Sequence, residues 1–309
     1  MTISIDQVID RIPGWSGRSP VVAPLDGGLT NRIYRVDVGG AAYVVRIPGE
    51  GTEWLGIDRV NELHNTRAAA EAGVSPRVVH HIADVNVLVV AFIPGETMSI
   101  PTMRRPGMPT QVARVLRQLH AGPRFLRDFD MFAVTRGYLR IARERRFTIP
   151  DDYDRYMPRV DRIEAAFARR PVRTVPCHND LLAANILDDG RRLWLIDFEY
   201  SGNNDPTFEL GNTCQEQQYD EPRIVEMCAA YFGEASPERL ARMRLNMVLA
   251  DVGWSLWAAI QAAVSTIEYD FWSWVDERWD RARAVMESSE FNRWLRVLET
   301  SESAAGGGG

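Results

Sequence analysis

The run Cys177–Asn212, CHNDLLAANILDDGRRLWLIDFEYSGNNDPTFELGN, decides how the rest of the chain is read. His178, Asp180 and Asn185 stand close together at its start, and Asp197 follows the apolar stretch Leu193-Trp194-Leu195-Ile196. Asp188-Asp189-Gly190 lies between two apolar runs, where Asp-Gly is a strong hairpin signal. A hairpin closed there brings Asp197 back beside Asn185, so three oxygen-bearing side chains converge on one small volume. Singly these residues mean little, since an aspartate at the end of a strand is commonly a turn or a helix cap. The matched spacing with a strand between gives them weight.

Phosphoryl transfer asks for this set. One aspartate accepts or orients the proton of the attacking hydroxyl, an asparagine downstream binds Mg²⁺, and an aspartate after a strand binds the Mg²⁺ that bridges the phosphates. Asp180, Asn185 and Asp197 are therefore the expected catalytic residues, with Asn185 and Asp197 as metal ligands and ATP and Mg²⁺ as cofactors. At these residues the sequence resembles the choline/ethanolamine kinase family, within the wider group of aminoglycoside-phosphotransferase-like and protein-kinase-like enzymes. Ile196–Asn212, IDFEYSGNNDPTFELGN, is closer to choline kinases than to antibiotic kinases. The resemblance covers most of the chain. It implies an α+β, bilobal protein-kinase-like fold, with a small antiparallel β-sheet N-lobe over 1–94 and a larger, mainly α-helical C-lobe over 95–302.

Composition agrees with a two-lobed globular protein. The chain has 309 residues, 45% hydrophobic and 25% charged, enough to bury a sizeable core. A net charge of −6 and a pI near 5.5 argue against general nucleic-acid binding, which wants a basic face. Cys177, Cys214 and Cys228 are odd in number and lack metal-type spacing, so neither a disulfide framework nor a zinc site is expected, and a cytoplasmic location fits. Residues 1–10 lack the basic and apolar regions of a leader, and no apolar run suggests a membrane span. The small-residue stretch 303–309 reads as a flexible tail. A homodimer is compatible with the sequence, which does not decide it.

Along the N-lobe, a short helix from Ile5 is stopped by Pro13-Gly14. Val21–Leu25, Ile33–Val38 and Tyr43–Ile47 read as strands punctuated by glycines. The Gly27-Gly28-Leu29-Thr30-Asn31 turn allows backbone amides to approach a phosphate, and the string resembles the nucleotide loop of choline kinases; Gly28, Thr30 and Asn31 are expected to touch the cofactor. Arg46 lies where a protein kinase carries its phosphate-contacting lysine, and Glu62, on a helix over Asp58–Ala72, is its expected partner. Asn61 and His64 receive no role. Val85–Ile93 reads as one strand leading to the lobe connection, where Phe92 is expected beside the adenine. Beyond it, Gln111–His120 is helical, and two helices separated near Pro150 occupy 130–170, with Arg140, Arg143, Arg145 and Arg146 on a solvated face.

The last quarter of the chain holds six of nine tryptophans, and Trp254, Trp257 and Gln261 share one helix face. Such a stripe is ordinarily core. Here the segments WSLWAAIQ (254–261) and IEYD (267–270) resemble the C-terminal signature of choline kinases, in which aromatic rings enclose the trimethylammonium head. The resemblance implies a small cationic alcohol as substrate, with Trp254, Trp257, Trp274 and Tyr200 as walls and Glu199 and Glu216 as acidic neighbours. A quaternary ammonium offers no hydrogen-bond donor and is held by ring faces. Three departures are visible: Glu209 where many relatives carry aspartate, Leu182 where some carry a polar residue, and Trp274 at a family tyrosine position. They put the identity of the amino alcohol, choline or ethanolamine, in doubt. An aminoglycoside or other small-molecule phosphotransferase, or a nucleotide-binding pseudokinase, is the alternative.

Overall fold

The computed structural model describes residues 3–25, 30–49 and 52–300; Gly28 of the expected nucleotide loop and the stretch 303–309 lie outside the described residues. Helix α1 (Ile5–Arg11) opens with a capping box between Ser4 and Gln7. Strands β1 (Val21–Leu25), β2 (Asn31–Val38) and β3 (Ala41–Pro48) follow, then a 3₁₀ turn, Thr52–Leu55, and helix α2 (Arg59–Glu71), capped by Asp58. Strands β4 (Val78–Ile82) and β5 (Val87–Ala91) complete an antiparallel sheet in the order β1-β2-β3-β5-β4.

The single strand expected over Val85–Ile93 is therefore shorter, and it pairs with a strand that periodicity did not reveal. Val85 donates to Ile82 O at 3.4 Å and Asn86 takes φ 52°, so these two residues form a turn and pairing starts at Val87. The β4 strand escapes notice because His80 and His81 interrupt its apolar pattern and most of its residues are only half-buried.

Beyond Pro94-Gly95 the chain is mainly helical. The elements are β6 (Glu96–Thr97), α3 (Ile100–Met103), α4 (Met108–His120), α5 (Met131–Arg145), α6 (Tyr153–Ala168), β7 (Val175–Cys177), β8 (Ile186–Asp188), β9 (Leu193–Leu195), β10 (Gly202–Asn204), α7 (Pro206–Glu216), α8 (Glu221–Phe232), α9 (Pro237–Val264), α10 (Phe271–Glu287) and α11 (Ser289–Thr300). The α5–α6 break falls around Pro150, and Arg140, Arg143, Arg145 and Arg146 are exposed. Helix α9 is the axis of this half: α5, α7, α10 and α11 pack on it, and it is buried almost continuously from Ala241 to Gln261. Among the described residues it alone is long and apolar enough to cross a membrane, but 78% of its most apolar window is inside the protein, which makes it a core helix. Gly211 on α7 allows the close approach, since a Cβ there would meet Met243 O of α9 at 2.5 Å.

Two buried asparagines fix α2 to the helical half. Asn61 Nδ2 donates to Ser201 O at 2.9 Å, and Asn65 Nδ2 reaches Ser201 O at 3.1 Å and its hydroxyl at 2.9 Å. Asn65 Oδ1 accepts from Leu126 N at 3.0 Å. The helix carrying Glu62 is thereby held against residues 198–201, immediately after Asp197.

Candidate active site

A cleft of about 630 Å³ runs between the sheet and the helical half. At one end Ile33, Val44, Leu88 and Phe92 make an apolar slot; at the other stand Tyr200, Trp254, Trp257 and Trp274; Asp180, Asn185 and Asp197 lie on its lining between them. Phe92 is fixed by Arg35, whose guanidinium lies 4.4 Å from its ring centre.

The β8–β9 hairpin delivers the middle group. Asp188 Oδ1 accepts from Gly190 N and Asp189 Oδ1 from Arg191 N and Arg192 N, each at 2.8 Å, and Gly190 takes φ 80°. Ile186 then pairs with Leu195 and Ile196 N donates to Asn185 O at 3.0 Å, which leaves Asp197 as the next residue out. Asp197 itself has φ 68°, a left-handed conformation that aspartate tolerates better than most residues. Asn185 Nδ2 donates to Asp180 O at 2.8 Å, and no described residue donates to its Oδ1.

The loop bearing Asp180 is held from behind. Asn179, at φ 67°, donates to Tyr200 O at 3.0 Å and accepts from Asn204 Nδ2 at 2.9 Å. Glu209, fully buried, accepts from the amides of His178 and Asn179, the second at 3.0 Å. His178 Nδ1 accepts from Asp180 N at 3.3 Å and its Nε2 contacts Ile196 O at 2.7 Å, and burial lowers its pKa so that the ring is neutral. His120, Cys177 and Glu209 also lie close together, but burial, and then Glu209, push the Cys177 thiol well up, so this is a hydrogen-bonded network around a protonated thiol. All three cysteines are free and buried.

Charge is distributed unevenly. Arg46 pairs with both Glu62 and Asp197, and Arg59 pairs with Glu62 at 2.8 Å and with Glu199. Glu199 also accepts from Thr30 Oγ1 and Asn31 Nδ2, each at 2.7 Å, so it faces the loop after β1, while Tyr200 faces the tryptophans. Among the described residues, four carboxylates (Asp180, Asp197, Glu199, Glu216) but only two guanidiniums (Arg46, Arg278) line the cleft. Desolvation, then the neighbouring Glu216, Asp197 and Glu199, raise the pKa of Asp180 well above its usual value, and desolvation with Glu199 brings Asp197 up to about 6. The excess negative charge and the hard oxygen donors Asp197 Oδ and Asn185 Oδ1 suit a Mg²⁺ ion.

At the tryptophan end two of the three indole nitrogens are bonded within the protein. Trp254 Nε1 donates to Asn212 Oδ1 at 3.1 Å and Trp257 Nε1 to the Tyr200 hydroxyl at 2.6 Å. The Tyr200 and Trp254 ring centres are 5.2 Å apart, those of Trp257 and Trp274 5.6 Å. Glu216 accepts from Arg278 Nη2 at 2.6 Å, and the same guanidinium lies 4.1 Å from the Trp274 ring centre, so one face of Trp274 already carries a cation.

The profile of the phosphotransferase enzyme family matches residues 21–245. A solved choline/ethanolamine kinase family protein from Mesorhizobium loti is 35% identical, with a TM-score of 0.83 over 95% of this chain and 97% of its own. The chain belongs to the choline/ethanolamine kinase family of phosphotransferases. It is also similar to the choline kinase LicA from Streptococcus pneumoniae (25% identity, TM-score 0.73, 86% of this chain and 93% of that one). Mouse ethanolamine kinase 2 is 25% identical over 84% of this chain and 74% of its own. The phosphotransferase therefore has the protein-kinase-like fold and acts on an alcohol group.

Residue reading missed several members of this family site. Arg59 stands three residues before Glu62, a helical spacing that signals a pair. Arg278 stands four after Trp274 on α10, again one face of a helix. Asn61 and Asn65 had no sequence signal, because their partner is a backbone carbonyl 140 and 136 residues away.

Proposed function

We propose that this phosphotransferase is an ATP- and Mg²⁺-dependent kinase whose acceptor is choline, with ethanolamine a poorer substrate. The observation that carries the reading is the single cleft: an apolar slot, a carboxylate-rich middle and a recess of aromatic faces follow one another in the order in which adenine, phosphates and a cationic alcohol need them. A reducing, cytoplasmic setting fits the three free thiols.

Phe92 with Ile33, Val44 and Leu88 would sandwich the base. Arg46, braced by Glu62, would hold phosphate oxygens, and Thr30 and Asn31 would position the loop above them. Asn185 and Asp197 would hold the Mg²⁺, which when bound offsets phosphate charge as the terminal P–O bond breaks. Asp180 orients the alcohol and takes its proton while the new O–P bond forms, leaving ADP. Its raised proton affinity favours that transfer.

The recess favours a head group without N–H. The indole nitrogens of Trp254 and Trp257 are bonded within the protein, and Glu216 already holds Arg278, so a primary ammonium finds few acceptors for three protons. A trimethylammonium needs none and gains roughly 0.5–2 kcal/mol per ring face. ADP release measured with choline, ethanolamine and an aminoglycoside tests this. We expect kcat/KM for choline to exceed that for ethanolamine by about tenfold, equivalent to 1.4 kcal/mol. An aminoglycoside as best acceptor, or nucleotide binding with no turnover, would overturn the reading.

A further inference from the structure

Arg59 opens α2 three residues before Glu62, so both side chains leave the same helix face. Its Nη1 donates to Glu62 Oε2 at 2.8 Å and pairs with Glu199 Oε1, and its Nη2 reaches Asn31 Oδ1 at 3.4 Å. Arg46 takes what remains, the other oxygen of Glu62 and the carboxylate of Asp197. Carboxylate oxygens of Glu62, Asp197 and Glu199 all lie within 4.8 Å of one another, and the side chains of Glu62 and Glu199 are 4% and 3% exposed. Like charges held this close and out of water repel strongly, so each needs a guanidinium. Arg46 and Asp197 line the cleft; Arg59 is not among the described residues that do.

We infer that Arg59 is a positioning residue: by answering Glu62 and Glu199 from outside the cleft lining, it leaves Arg46 and Asp197 for a phosphate and a divalent ion. Without it, Arg46 alone of the pair faces all three carboxylates and is held among them, away from an incoming phosphate. The same loss alters the metal side. Glu62, Asp197 and Glu199 against Arg46 and Arg59 carry one excess negative charge; without Arg59 they carry two, and a divalent ion is drawn in with no nucleotide present. Arg59 thus makes metal binding depend on the nucleotide that brings it. The inference rests on the reading of the cleft as a metal and nucleotide site, and it names a residue that touches neither.

The test is Arg59→Gln, with two binding constants measured apart from turnover: ADP in the presence of EDTA, by calorimetry, and Mn²⁺ without nucleotide, by electron paramagnetic resonance. We expect metal-free ADP to bind about tenfold more weakly and Mn²⁺ about tenfold more tightly, each equivalent to 1.4 kcal/mol. A merely structural role for Arg59 lowers both affinities. Mn²⁺ bound no more tightly than by wild type overturns the inference, and so does ADP bound as well as by wild type. Arg59→Lys keeps the charge without the fork and should stay within about threefold of wild type in both constants; if it follows Arg59→Gln, the charge account fails. Should Arg59→Gln not fold, the double variant Arg59→Gln with Glu199→Gln removes one charge of each sign. Mn²⁺ affinity at the wild-type value is then expected, and a marked fall or rise overturns the inference. If wild type itself takes up no ADP, the nucleotide reading has failed, and the Mn²⁺ constants alone decide the role of Arg59.

Discussion

The two ends of the cleft are built differently. At the proposed phosphate end Asp180, Asn185 and Asp197 come from one short stretch folded on itself by a hairpin, with Arg46 paired to Asp197 and Arg59 to the neighbouring Glu199. At the proposed acceptor end Tyr200, Glu216, Trp254 and Trp274 come from four separate segments, and the indole nitrogens of Trp254 and Trp257 and one oxygen of Glu216 are bonded within the protein. On the proposed reading, one end keeps unbalanced charge for the reaction and the other limits hydrogen-bonding capacity to choose the ligand. The short segment 197–201 joins them, with Asp197 and Glu199 facing the first end, Tyr200 the second, and Ser201 holding α2.

This division can be broken most sharply by paired substitutions. Asp180→Asn should lower kcat by about 10²–10⁴-fold while leaving KM for choline nearly unchanged. Trp254→Ala should instead raise KM for choline by roughly 2–30-fold, the loss of one ring face, with a smaller change in kcat. Steady-state kinetics in which both variants move the same constant would end the distinction.

A smaller effect is expected where the ends are tied together. Asn65→Ala removes two buried contacts to Ser201 and leaves Leu126 N–H without its acceptor at a part-buried position. A loss of about 1–3 kcal/mol in unfolding free energy should follow, read by urea denaturation, because each hydrogen bond lost contributes about 0.5–1.5 kcal/mol. A variant as stable as wild type would show that α2 does not depend on this anchor.

The smallest effect concerns the support of the acceptor wall. Asp251 on α9 is bonded by Arg281 of α10 at 2.9 Å, and desolvation nevertheless brings its pKa up to about 6 from 3.8. A carboxyl raised on folding binds its proton more tightly in the folded state, so its contribution to stability is full below pH 3.8 and is lost as pH rises to about 6. The stability difference between wild type and Asp251→Asn should therefore shrink across that window and stay level above it. Growth of the difference with pH would mean that Arg281 keeps the carboxylate ionised throughout.

The same contrast explains what could be read from the residues alone. The hairpin and the convergence of Asp180, Asn185 and Asp197 were legible because turn chemistry and strand length fix them within a short span. Trp254 and Trp257 were legible as one helix face for the same local reason. Glu199 was expected beside the substrate; it lines the same cleft, but its carboxylate is held by Thr30, Asn31 and Arg59, partners that lie 169, 168 and 140 residues away along the chain.

The central claim is that one cleft holds a metal-bound nucleotide and a quaternary ammonium alcohol end to end. Its most direct test is a crystal structure with Mn²⁺, a non-hydrolysable ATP analogue and choline, the ion located by its anomalous signal. We predict Mn²⁺ on Asp197 and Asn185 Oδ1, the choline nitrogen between Tyr200, Trp254 and Trp257, and its hydroxyl directed at Asp180. Metal away from Asp197, or choline bound outside the tryptophan recess, would contradict the account.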